Sequence, residues 1–183
     1  MPTLPARSRG LMDDPAGGRE LNFSDPVGDD FEALSRDRVP VRSLQAADLA
    51  AMIAIDRRIT GRDRSAYYRR KAAEALEESG VRVSLVAELD GRVVGFIMAR
   101  VDFGEFGQTE PEGVVDTIAV EPAYAHRKVG AALVSQLLAN LGSLRVERVR
   151  TELAWDNFAL LGFLKRCGFK PSQRLSFARP IAG

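Results

Sequence analysis

The stretch Val115-Asp116-Thr117-Ile118-Ala119-Val120-Glu121-Pro122, with Arg127-Lys128-Val129-Gly130-Ala131-Ala132 close behind it, decides the fold. It reads as a strand stopped by a proline, a short basic loop, and a helix whose first turn is glycine and alanine. Small residues there leave the unpaired N–H groups of the first turn open to an anion, where the helix dipole is positive. Gly130 and Ala132 would equally allow close packing of the helix, so the loop alone leaves both uses open.

Downstream, Leu133, Leu137 and Leu141 mark one face of a helix over Lys128–Leu141, which Gly142 stops. A strand over Val146–Leu153, a helix over Asn157–Arg166 ended by Gly168, and a last strand over Leu175–Ala178 follow. Upstream, Val81–Glu88 and Arg92–Val101 are strands joined by Asp90-Gly91, a strong hairpin signal, and a loop over Asp102–Glu112 leads to the strand Val114–Val120. Further back lie a short strand through Pro40-Val41-Arg42 and a helix begun or capped by Asp48. Leu49, Ile53, Met52 and Ile55 form its apolar face, and Gly61 breaks it. A second helix runs from Ser65 to Glu78, with Gly80 in the C′ role. The order joins a hairpin-built antiparallel half to a crossover half, which is α+β.

The chain has 183 residues, enough for one domain with a real core. A single cysteine, Cys167, excludes an internal disulfide, and a single histidine, His126, excludes a Cys/His metal cage. Without a long apolar run or a secretory h-region, the expectation is a cytoplasmic protein. Residues 1–38 carry five Arg against eight Asp or Glu and are rich in Pro and Gly, so they read as a disordered acidic tail before a domain at 39–183. The remaining net +4 is too mild and too scattered for a duplex-binding surface.

Four local features, in order, resemble the GNAT superfamily of N-acetyltransferases. Ile118-Ala119-Val120 is similar to the family's central strand, and Arg127-x-x-Gly130-x-Ala132 to its acetyl-CoA signature. Asp156-Asn157 follows the next strand, and Arg166-Cys167-Gly168-Phe169 resembles the closing Gly-Phe. The match covers about residues 39–183. The resemblance implies a mixed, mostly antiparallel sheet flanked by helices, split into a V between the fourth and fifth strands. It implies acetyl-CoA as co-substrate, held by Ile118, Ala119, Val120, Arg127, Lys128, Val129, Gly130, Ala131, Ala132, Leu133 and Asn157, with no metal. The implied partner is an amine acceptor, small molecule or protein, with neither nucleic acid nor membrane; a homodimer stays open. The rival uses of such a domain are a non-catalytic acyl-CoA sensor and a protein-interaction module.

Acetyl transfer to an amine needs a base for the ammonium proton and, for the leaving thiolate, an acid. Glu152, five residues before Asn157, occupies the position where one family branch places a catalytic Glu. Its other reading is an edge-strand carboxylate paired with Arg150 or Arg148. Asp116 is the second candidate base: it interrupts an apolar strand, on the face of Ile118 by the period of two. It could equally partner an arginine. Leu164 stands where the family often has a tyrosine acid, so no acid carries over; Tyr124, Tyr67 and Tyr68 are substitutes. Asp102–Glu121 holds six acids and no Lys or Arg, either a solvated loop or a lure for an ammonium substrate. Arg57-Arg58 and Arg69-Arg70-Lys71 read as solvated helix faces.

Overall fold

The computed structural model describes residues 38–79, 81–103, 110–172 and 178–180. The expectations for the acidic tail, for Gly80 and, Ala178 apart, for the strand at 175–178 lie outside them.

Five strands form one sheet in the order β1-β2-β3-β4-β5: β1 (Val41–Ser43), β2 (Leu85–Leu89), β3 (Arg92–Phe103), β4 (Pro111–Val120) and β5 (Arg148–Thr151). The first four pair antiparallel and β5 pairs parallel to β4. Asp90 and Gly91, both at positive φ, make the β2–β3 turn, as a tight two-residue hairpin requires. β3 and β4 run further into the expected loop than the sequence implied, and β5 is shorter than expected.

Alternation on β3 serves two cores. Ile97 and Ala99 face one helix layer, while Phe96 and Met98 face the other. The second layer consists of α1 (Leu49–Thr60), whose face is Met52, Ile55 and Asp56, and α2 (Ser65–Ala73), which buries Tyr68. Leu49 and Ile53, expected at the centre of the α1 face, lie at its margin. Gly61 ends α1 in the left-handed conformation. α2 continues into a π turn over Glu74–Glu78.

The first layer is α3 (Val129–Ser143), with Leu133, Leu137 and Leu141 all buried. Its approach depends on Gly95 and Gly113: a Cβ there would come within 2.9 Å of Val129 and 2.8 Å of Leu141. Gly142 does not stop α3. Arg145, at φ 59°, takes the C′ role, with Val146 N–H bonded to Leu141 O and Arg145 N–H to Gly142 O, both at 3.0 Å. α4 (Phe158–Arg166) ends in the same way, with Gly168 at C′ and Phe169 N–H bonded to Leu164 O at 3.0 Å.

Candidate active site

The β4–β5 ladder ends at the rung Val115↔Thr151. β4 continues to Val120, paired only with β3, and its burial drops at the same point: Gly113–Val115 are buried, residues 116–120 half-buried. This is the expected V between the fourth and fifth strands.

A β-bulge sits at its apex. Met98 pairs with Thr117 and Ala99 with Val115, which leaves Asp116 as the extra residue. The bulge reverses the parity of the strand. Ile118 packs into the α3 core, whereas Asp116 meets Lys71 of α2 at 3.4 Å and is ion-paired to Arg100. The expectation that Asp116 and Ile118 share a face is therefore corrected; the period of two holds only in an unbulged strand.

Glu152 is the first residue past β5 and its side chain is 75% exposed. Arg150 Nη1 donates to Glu152 Oε1 at 3.2 Å, Nε to Glu112 Oε2 at 3.2 Å, and Nη2 to Asp102 Oδ2 at 3.5 Å. Asp102 also accepts from Arg100 at 2.8 Å. A chain of alternating charge thus runs from Lys71 through Asp116, Arg100, Asp102 and Arg150 to Glu152, on the face that carries α2.

Four of the acids in 102–121 are compensated from elsewhere: Asp102, Glu112 and Asp116 as above, and Glu121 by Arg58 at 2.7 Å. The pairing leaves the stretch less negative than its acid count implies; Lys71 is mostly buried, whereas Arg58, though paired, stays solvated at 57% exposure. Glu105 lies outside the described residues. Arg100 was missed by the sequence reading; Arg150 was expected only as a partner of Glu152, which it is, and its links to Glu112 and Asp102 were not foreseen. The signal for Arg100 was position: it stands two residues before Asp102 in β3, hence on the same face.

The far end of the V is the start of α3. His126 and Lys128 both adopt left-handed φ, 63° and 62°, at a cost of about 1 kcal/mol each for non-glycine residues. Arg127 stacks over Tyr124, 5.1 Å from the ring centroid, so Tyr124 braces the basic loop. The N–H groups of Val129, Gly130 and Ala131 precede the first intrahelical bond, from Ala132 N–H to Lys128 O at 2.9 Å. Among the described residues, no acid and no side-chain cap stand in this first turn. An anion fits its charge and its small residues. Gly130 also packs: a Cβ there would lie 3.1 Å from the Phe163 ring of α4 and 3.7 Å from Val120. The packing use of the glycine is therefore observed.

Asn157 caps α4, its Oδ1 accepting from Leu160 N–H at 3.2 Å. Leu164 is buried at the α4 C-terminus. Tyr68 is not free to serve as the acid: its hydroxyl donates to Asp56 Oδ1 at 2.9 Å within the core, and burial pushes the phenol up to about 12. Tyr67 packs edge-on against it. Asp56 also holds Arg64 of the α1–α2 turn, whose guanidinium keeps the carboxyl below the usual carboxylate range.

A model of the Acetyltransferase (GNAT) family matches residues 49–169, and the chain belongs to that family of acyltransferases. An N-alpha-acetyltransferase of Sulfurisphaera tokodaii is 28% identical over 145 residues, covering 76% of this chain and 84% of the relative. The aminoglycoside N-acetyltransferase AAC(6')-Iy in complex with CoA superposes with a TM-score of 0.67 at 16% identity, covering 79% of this chain and 95% of that one. A transcriptional regulator from Bacillus halodurans gives 0.64 at 16% identity, with coverage of 77% and 99%. At such identity these structures share the fold. No helix among the described residues is long and apolar enough to cross a membrane.

Proposed function

We propose that this chain moves an acetyl group from acetyl-CoA to a primary amine. The observation that carries the reading is the parting of β4 and β5 past Val115↔Thr151, with Asp116 and Glu152 at one end of the gap and the acid-free start of α3 at the other. The two ends are separated by roughly 13 Å of strand, at the rise of an extended chain.

The pyrophosphate rests on the N–H groups of the α3 first turn, with Arg127 and Lys128 supplying charge. The donor side runs along Ile118, Ala119 and Val120 to the first turn of α3, with Asn157 across the gap; Leu133, expected among the cofactor contacts, is fully buried in the core instead. Acetyl-CoA supplies the activated acyl carbon, and a backbone N–H near Val120 polarises its carbonyl. Glu152, directly or through water, removes the ammonium proton; the neutral amine attacks, a C–N bond forms, the C–S bond breaks, and the nitrogen releases its second proton to water. The thiolate takes its proton from water, because Leu164 has none to give. Asp116, tied to two cations, holds the acceptor side rather than taking the proton.

Release of free CoA thiol, measured over a panel of amines and peptides with product masses, tests the reading. Acetylated product with at least one amine supports it. Tight acetyl-CoA binding with no transfer to any amine overturns it.

A further inference from the structure

A cavity of about 280 Å³ lies between the end of α2 and strands β3 and β4. Two backbone irregularities meet across it. Glu74 opens the π turn that ends α2, and Asp116 is the bulge residue of β4. Both kinds of irregularity forgo regular pairing and recur at functional sites. Each turns a carboxylate toward the cavity.

Lys71 stands between them. Its Nζ is 2.8 Å from Glu74 Oε2 and 3.4 Å from Asp116 Oδ2, and its side chain is only 20% exposed. The Glu74 bond, with the charge of Asp116, raises the lysine above its ordinary pKa and keeps it cationic. An ammonium on an alkyl stem thus already occupies the space between the two carboxylates, with Ala75 and Met98 as apolar walls. Arg100 is held by Asp102 as well as by Asp116. Lysine is the mobile member of the set, a point charge on a flexible stem.

We propose that this cavity is the subsite for a primary alkylammonium group of the acceptor, and that Lys71 is its built-in competitor and a specificity-determining residue. The proposal rests on the amine-transfer reading above. Lys71, Arg70 and Arg100 balance Glu74, Asp116 and Asp102 in charge, so an incoming ammonium must displace Lys71, and apparent affinity falls by the fraction of time the lysine occupies the site. A neutral or anionic acceptor gains nothing from the exchange.

Titration of n-butylammonium, followed by NMR and compared with uncharged n-butanol, tests this on the wild type, Lys71→Met and Lys71→Ala, each checked for folding by its thermal melt. The expected result is binding of butylammonium about tenfold tighter in both Lys71 variants, no such gain for butanol, and loss of the gain on adding Asp116→Asn. Equal affinity in wild type and variants, or an equal gain for butanol, overturns the subsite. CoA release is measured in parallel. Transfer that persists with no gain at Lys71 removes the subsite alone, while a gain without any transfer supports the subsite and removes the acetyltransferase reading.

Discussion

Asp116 and Glu152 each stand one residue beyond the last rung of the β4–β5 ladder, on opposite sides of the gap, and are linked through Arg100, Asp102 and Arg150. Two carboxylates joined by such a chain are not independent groups. Removing one frees a cation that the other shares indirectly.

Glu152→Gln should lower kcat by about 10²-fold, the scale of a positioned general base, with acetyl-CoA affinity unchanged. Stopped-flow turnover and calorimetric titration check both halves. An unaltered kcat would move the base role to Asp116 or to water.

Gly130→Glu should abolish acetyl-CoA binding in a protein that still folds, because a carboxylate replaces the open first turn of α3. Gly130→Ala separates the packing role. Its gain in helix propensity, about 1 kcal/mol, is offset by the 3.1 Å approach to Phe163. Its melting temperature should scarcely change. Normal cofactor binding by a folded Gly130→Glu protein removes the loop assignment.

Leu164→Tyr should not supply the missing acid. The side chain is buried, and its carbonyl closes the α4 C-terminus. A larger residue there should cost about 1–3 kcal/mol by overpacking. Denaturant titration measures that loss, and a rise in kcat on this substitution contradicts the assignment.

Asp56→Asn should destabilise the fold by about 2 kcal/mol near neutral pH, the scale of hydrogen bonds to a charged group. The sign of its pH dependence follows from the depressed carboxyl. The folded-state pKa lies below the unfolded value of about 3.9, so the contribution is complete above that value and is lost as pH falls through the folded-state one. Wild type and variant should therefore converge in stability as the pH falls below about 4 and passes the folded-state value. A constant difference over that window would mean that the Arg64 pair contributes nothing.

The sequence by itself determined the α+β order, the Asp90-Gly91 hairpin, the Leu133–Leu137–Leu141 face, the Gly168 ending and the glycine-alanine start of α3. These are local: each depends on period, turn chemistry or a cap within a few residues. Only the tertiary structure decided which charges meet. The stretch from Asp102 to Glu121 contains no Lys or Arg, yet four of its acids are answered by Arg58, Lys71, Arg100 and Arg150 from α1, α2, β3 and β5. The Asp116 bulge is likewise invisible in the chain, because it is defined by register against β3, and one extra residue turns a side chain to the other face. The packing role of Gly130 also depended on Phe163, thirty-three positions away in sequence and near it only in the folded chain.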